Sequence, residues 1–258
     1  CYGLKHLGAI SPGFQADFVV LDNLQDLNVT DVFYKGKLVD RNAPIRVKTC
    51  GRALKHTVHL DKVKAEQFVL PIGKKKTHVI GINPSQITTE DLAVSLQPAA
   101  NYVPTDGYSK VAAVERHHNT GKIGVAVAKG YGIRNGAVAS SVSHDSHNII
   151  VIGDNDRDMA LAVDEIIRTQ GGYTVVENGE VFETLPLPIM GLMSDAGFES
   201  VNETLGRMIK KAHEMGVPAD IEPFITLSFL ALPVIPTLRI TPRGLCLLTA
   251  KGPEILQE

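Results

Sequence analysis

The sequence contains few cysteines, and those few lie far apart. Cys1, Cys50 and Cys246 are odd in number and lack the paired spacing of metal-binding cysteines. This argues against a disulfide framework and against a cysteine-based zinc site. Three isolated thiols suit a reducing compartment, so we expect a cytoplasmic protein.

An excess of positive charge and a long apolar run are also missing. The 26 Lys and Arg residues nearly balance the 28 Asp and Glu residues, and the net charge is −2. Nothing in this balance favours binding to nucleic acid or to an anionic membrane. Residues 224–240 form the most apolar stretch, but Pro233 and Pro236 interrupt it, and it is shorter than a membrane span requires.

What is present is a chain of ordinary globular composition. It has 258 residues, 44% hydrophobic and 21% charged, enough for one large domain or a domain with a smaller attached piece. Position 1 is Cys rather than Met. We therefore expect this chain to be part of a longer polypeptide, with some of the chemistry on residues outside it.

The order of predicted elements indicates an α+β fold. Short β-branched runs separated by turn signals predict strands that follow one another directly along most of the chain. Two helices are predicted, one beginning at the N-cap Asn155 and one ending at Gly216, with an Asn178-Gly179 hairpin between them. We expect a layered α+β domain with a mostly antiparallel sheet.

The first 52 residues read as a separate piece. Pro12-Gly13 marks a turn, residues 17–21 read as a strand, and residues 32–39 read as a hairpin around Gly36. So few strands cannot form a stable core alone. We expect residues 1–52 to be the end of a β-sandwich with its linker, and residues 53–258 to form the main domain.

The most informative segment is a polar run at residues 140–148. It holds two histidines, an aspartate, an asparagine and four serines between two apolar stretches. Each buried polar group costs about 1–3 kcal/mol unless a partner satisfies it. The candidate site residues here are His144, Asp145, His147 and Asn148. Three interpretations stay open: a loop that lines or caps a substrate site, a structural hydrogen-bond network, and an independent metal site.

A second constellation contains Glu115 and His117. If residues 111–119 form one strand, these side chains share a face with Asn119, while Arg116 and His118 lie on the other face. The Glu-x-His pair then orients a functional histidine, or it is an ion pair at the end of a strand. Thr120-Gly121 reads as a turn, which places the pair at a sheet rim, where sites commonly lie.

Six segments resemble a known family. Residues 8–22 and the hairpin at 32–39 resemble the closing β-sandwich segment of the amidohydrolase superfamily. Residues 114–121, the polar run, residues 185–194 and residues 232–236 resemble, in order, the C-terminal region of bacterial adenine deaminases. The resemblance extends from about Gly3 to Gly244.

The resemblance implies a function and also a missing part. Adenine deaminases hydrolyse adenine to hypoxanthine and ammonia with a metal centre, often manganese or iron, held in a barrel that precedes this region. No segment here matches the barrel ligands, so we expect no metal or cofactor in this chain and no deamination by it alone. The resemblance further implies adenine as the substrate, the barrel as the partner of this region, and assembly as a homo-oligomer. The alternative is a non-catalytic module for oligomer assembly and stability.

Overall fold

The structure is a computed structural model, and it describes residues 2–43, 50–73, 76–105 and 107–256. By contacts between Cα atoms the chain divides into two compact units, Cys1–Thr49 and Cys50–Glu258. The assignment of residues 1–52 to the end of a β-sandwich and of residues 53–258 to a separate domain stays a prediction.

The first unit is a small antiparallel sheet. Its strands are β1 (Phe18–Leu21), β2 (Val29–Tyr34) and β3 (Lys37–Leu38). The predicted hairpin around Gly36 is confirmed: Lys35 and Gly36 both have positive φ, as a two-residue turn of this kind requires. Phe18 and Phe33 stack across the sheet with ring centroids 4.7 Å apart. None of residues 2–43 is buried within this unit, as expected for so few strands.

The second unit is built on an eight-stranded sheet. Its strands are β4 (Thr77–Ile82), β5 (Thr89–Val94), β6 (Tyr108–Val114), β7 (Ile123–Lys129), β8 (Gly136–Ser140), β9 (Ile149–Gly153), β10 (Gly172–Glu177) and β11 (Glu180–Pro186). They lie in the order β11-β10-β8-β9-β6-β7-β4-β5. The β4 and β7 strands run parallel, and the other neighbouring pairs in this order are antiparallel. The expected α+β class with a mostly antiparallel sheet is confirmed. A smaller sheet follows, with β12 (Leu238–Thr241), β13 (Gly244–Thr249) and β14 (Gly252–Ile255).

Both predicted helices are present. The α1 helix (Asp156–Thr169) begins at the expected N-cap, where the Asn155 side chain accepts a hydrogen bond from the Asp158 amide at 2.8 Å. The α2 helix (Phe198–Glu214) ends two residues before Gly216. The predicted Asn178-Gly179 hairpin joins β10 to β11. A single 3-10 turn, Ala65–Phe68, precedes the large sheet in the chain.

A third helix, α3 (Pro223–Leu230), was not predicted. It overlaps the most apolar stretch of the sequence, residues 224–240, and its side chains Phe224, Leu227 and Leu230 are buried. The sequence PFITLSFL has almost no polar face, so it shows no helical alternation.

The large sheet is covered on both faces. Alternate residues of β6 and β9 point to opposite sides: Ala112 and Val151 pack with α1, and Val111 and Ile152 pack with α2, α3 and β12. In the part of the chain that the structure describes, no helix is long and apolar enough to span a membrane.

This topology brings two polar segments to one end of the sheet. Val114, the last residue of β6, pairs with Ile149, the first residue of β9, and Ser140 at the end of β8 pairs with Ile150. Residues 115–122 and residues 141–148 therefore leave the sheet at the same end.

Candidate functional site

We name residues 141–148, which connect β8 to β9, the histidine loop. The loop contacts the segment that follows β6, because His117 Nε2 lies 2.7 Å from the carbonyl oxygen of Ser146. The imidazole rings of His144 and His147 have centroids 5.9 Å apart. The structure thus brings the two sequence-predicted constellations together into one site.

Glu115 does not orient a histidine side chain. Residues 111–119 do not form one strand, because β6 ends at Val114. The Glu115 carboxylate turns back and accepts hydrogen bonds from the amides of His117 at 2.6 Å and Thr120 at 3.1 Å. Burial alone would raise the pKa of Glu115, but these amides outweigh burial and hold the pKa below its usual value. Glu115 therefore shapes a turn.

His117 is half-buried and joins backbone segments. Its Nε2 atom donates to the Ser146 carbonyl, since that carbonyl can only accept. Its own carbonyl lies 3.0 Å from Nδ1 of His59. His117 and Glu115 thus do not share the functional face that an extended strand would have given them.

His144 and Asp145 reach solvent from the outer side of the loop. The His144 amide donates to the Ser228 carbonyl at 3.1 Å, which fixes the backbone on α3. The His144 ring packs on Phe229 with centroids 4.9 Å apart, and its side chain is 39% exposed. The Asp145 side chain is 84% exposed, with Oδ1 3.9 Å from His144 Nδ1.

His147 is held as a neutral imidazole with a defined tautomer. Its Nδ1 atom accepts a hydrogen bond from the Ser143 amide at 3.3 Å, so the ring proton of the neutral form lies on Nε2. Burial lowers the pKa of His147, and the neighbouring His144 and Arg116 lower it further, while Asp145 acts in the opposite direction. His147 can therefore offer an Nε2–H donor at neutral pH.

Asn148 belongs to the inner side of the loop. It is buried, its Oδ1 accepts from the Arg116 amide at 3.3 Å, and its Nδ2 donates to Ser146 Oγ at 3.1 Å. A side chain satisfied in this way holds the loop together. Of the six predicted site residues, His144 and Asp145 expose polar side chains, His147 is half-buried, and Glu115, His117 and Asn148 build the base.

Sequence reasoning missed the role of Arg116. Its guanidinium is buried and donates to backbone carbonyls of His147, Thr57 and Met190. The available signal was a lone arginine directly after an apolar strand and a glutamate, but its acceptors lie in distant segments that no spacing pattern identifies.

The chain matches known proteins over most of its length. A family model described as the adenine deaminase C-terminal domain matches residues 86–251, which include the histidine loop and residues 115–122. The chain belongs to the adenine deaminase C-terminal domain family. The expectation drawn from the six segments is confirmed at this level.

Several curated relatives of this family are longer proteins. The chain is 51% identical to "Adenine deaminase" of Desulfitobacterium hafniense (strain Y51), over 95% of this chain and 43% of the relative. It is 45% identical to "Adenine deaminase" of Nitratidesulfovibrio vulgaris (strain DP4) and 41% identical to "Adenine deaminase 2" of Carboxydothermus hydrogenoformans, in both cases over 95% of this chain and 44% of the relative. The chain thus spans less than half the length of these relatives, as expected for a C-terminal part.

The described residues of this adenine deaminase C-terminal domain do not fit a metal ion. They contain no group of three or more His, Cys, Asp or Glu side chains arranged to hold one. Within the site, Nε2 of His117 and Nδ1 of His147 are already engaged in hydrogen bonds. The interpretation of the polar run as an independent metal site therefore lacks a ligand set in this part of the chain.

Proposed function

We propose that this chain is the C-terminal part of an enzyme that hydrolyses adenine to hypoxanthine and ammonia, and that the histidine loop lines one side of the purine site. Support comes from the relatives named adenine deaminase and from the share of their length that the chain covers. The remaining part of the polypeptide, an amidohydrolase barrel, supplies the hydrolytic centre in this proposal.

The observation that carries the proposal is the two-sided construction of the histidine loop. Arg116 and Asn148 fix its inner side by buried hydrogen bonds, while His144 and Asp145 expose polar side chains on its outer side and His147 is half-buried. A purely structural network would satisfy its polar groups internally. Polar groups held outward on a fixed base are typical of a surface that faces a ligand.

These outward groups suit a purine chemically. The Nε2–H group of His147 can donate to a ring nitrogen, and the Asp145 carboxylate can accept from an amino group. The His144 ring, packed on Phe229, offers an aromatic surface to a planar heterocycle. Enclosing the purine also excludes water, which strengthens electrostatic interactions in the site.

The catalytic machinery lies outside these residues in our proposal. Attack on C6 of adenine needs an activated water and a group that delivers a proton to the departing amine. The manganese or iron ion that the resemblance implies has no ligand set among the described residues. The 258-residue chain alone is therefore expected to release no ammonia from adenine.

A non-catalytic assembly role is the second candidate. Phe198 is 73% exposed and Ile225 is 57% exposed, so both offer apolar area to a contact with another subunit. Such residues favour a contact between subunits, and we propose a homo-oligomer. We also propose a cytoplasmic location, to which the free thiols of Cys50 and Cys246 are suited.

Substitution of the histidines in the complete enzyme separates the two candidates. His144→Ala and His147→Ala are expected to lower kcat/KM for adenine at least about tenfold, which corresponds to about 1.4 kcal/mol. His213→Ala is the matched control, because His213 contacts the Val217 carbonyl at the end of α2 and is not part of the site. A decrease below about threefold, roughly 0.7 kcal/mol, in both correctly folded loop variants contradicts the substrate-site proposal.

A further inference from the structure

Arg116 is a buried cation without an acidic partner. Arg116 is only 2% exposed to solvent. In the described ranges, no carboxylate forms an ion pair or a hydrogen bond with its guanidinium. Burial lowers the pKa of Arg116 to about 10, so the group remains charged at neutral pH. A buried charge is costly unless several hydrogen bonds satisfy it. Backbone carbonyls provide those bonds here.

The acceptors of Arg116 come from three segments that are distant in sequence. Nη1 donates to the Thr57 carbonyl and Nη2 to the Met190 carbonyl, each at 3.0 Å, and Nε donates to the His147 carbonyl. These partners lie 59, 74 and 31 residues away along the chain. One planar group with a fixed fork of donors thus ties the histidine loop to two other segments.

The neighbouring segment is shaped to the guanidinium. A Cβ atom at Gly191 would lie 2.7 Å from Nη1 and 2.9 Å from Cζ of Arg116, so only glycine leaves room for the group in this position. The Gly191 carbonyl in turn accepts from Ser141 Oγ at 2.6 Å. Residues 190 and 191 therefore contact both Arg116 and the first residue of the histidine loop.

We propose that Arg116 is a positioning residue that holds the histidine loop so that the imidazoles of His144 and His147 face the substrate. The positioning itself rests on the geometry of these contacts, while the identity of the substrate rests on the proposed function. Arg116 is enclosed beneath the loop and acts through His147, whose carbonyl it binds.

The positive charge of Arg116 also helps to lower the pKa of the His147 imidazole. After burial, the groups that lower the pKa of His147 are His144, Arg116 and His117, and Asp145 raises it. Loss of the guanidinium charge therefore raises the pKa of His147. If neutral His147 is the active form, the acid limb of the kcat/KM profile moves to higher pH in Arg116→Met, and it stays closer to that of the parent enzyme in Arg116→Lys, which keeps the charge.

The chain offers a matched control in Arg239. This arginine is also fully buried and also donates to backbone carbonyls, those of Ile235, Ile87 and Pro236. None of these acceptors belongs to the histidine loop. Arg239→Lys therefore reports the general cost of replacing a buried arginine, and Arg116→Lys reports that cost together with any effect on the loop.

The test uses the complete enzyme in three variants: Arg116→Lys, Gly191→Ala and Arg239→Lys. Lysine cannot reproduce the three-way fork, and a methyl group at Gly191 displaces the guanidinium without removing it. Hydrogen exchange by mass spectrometry follows the peptide that covers residues 141–148, and kcat/KM is measured with adenine. We expect the first two variants to raise exchange in this peptide about tenfold or more and to lower kcat/KM about tenfold, since a local opening that is easier by about 1.4 kcal/mol gives tenfold exchange. Arg239→Lys is expected to change neither.

The outcomes separate the positioning role from the proposed function. Unchanged exchange at residues 141–148 in both Arg116→Lys and Gly191→Ala overturns the positioning role. Increased exchange with kcat/KM within threefold of the parent supports the positioning and contradicts the purine-facing role of the loop. Should Arg116→Lys fail to fold, Gly191→Ala, which retains the guanidinium, decides the question. An equal change in Arg239→Lys also counts against the proposal.

Discussion

Two buried arginines occupy different regions of the second unit and make the same kind of contact. Arg116 follows β6 and Arg239 lies in β12, and burial lowers the pKa of each to about 10. Each donates to three backbone carbonyls rather than to a carboxylate. The two positions thus share burial, charge and acceptor type.

They differ in where their acceptors come from. Two acceptors of Arg239, the carbonyls of Ile235 and Pro236, lie only four and three residues away, and its Nη1 atom is buried without a partner. Arg239 therefore joins its own turn to one remote segment, at Ile87, which lies 152 residues away. All three guanidinium nitrogens of Arg116 donate hydrogen bonds to backbone carbonyls in segments 31 to 74 residues away. The acceptors of Arg116 thus come from three segments and those of Arg239 from two, and only Arg116 lies beside exposed polar groups of the histidine loop.

The largest expected difference between the two regions is in stability. Arg116→Met leaves three carbonyls from separate segments unpaired, and we expect it to lower the free energy of unfolding by about 3–5 kcal/mol. Arg239→Met also relieves the unpartnered Nη1, so its cost is expected to be about 1–3 kcal/mol. Thermal unfolding of the complete enzyme compares them. Equal decreases in Tm would show that acceptors from three separate segments confer no additional stability.

A smaller contrast is expected between two glycines. Gly206 lies in α2 with open space where a Cβ would stand, so Gly206→Ala is expected to stabilise the protein by about 0.5–1 kcal/mol. Gly191 has φ +71° and contacts Arg116, so Gly191→Ala is expected to destabilise it by about 1–3 kcal/mol. The shifts in Tm should have opposite signs. Shifts of the same sign would contradict the fit between Gly191 and the guanidinium.

The smallest expected effect is the response of the two regions to pH. The pKa of His147 in the folded protein lies below its usual value of 6.5, so the unfolded loop binds the proton more readily. The stability that neutral His147 provides is present above pH 6.5 and is lost as the pH falls below that value. Hydrogen exchange, corrected for its intrinsic pH dependence, should rise in residues 141–148 on acidification to pH 5.5, and His147→Asn should abolish the rise. Exchange around Arg239 should not follow it.

Local signals in the sequence predicted much of the fold. Asn155 marks the start of α1, and Asn178-Gly179 marks the turn of the β10–β11 hairpin, because caps and tight turns depend on residues next to each other. The α3 helix escaped prediction because a helix buried on all sides carries no alternation.

The position of the candidate site in the chain was predictable from the sequence, but the contacts that hold its residues were not. The polar run between two strands identified the histidine loop, since unpaired polar groups are not tolerated in a core. The roles of Glu115 and Arg116 were not predictable, because one depends on where β6 ends and the other on acceptors in distant segments. Contacts of that range arise from the packing of the whole sheet.

The central claim is that the histidine loop adjoins the purine, and a crystal structure of the complete enzyme with bound adenine tests it most directly. The account predicts that an imidazole of His144 or His147 lies within about 4 Å of the purine, the range of direct contact. A histidine loop that faces solvent or another subunit, with no atom in contact with the bound purine, would contradict it.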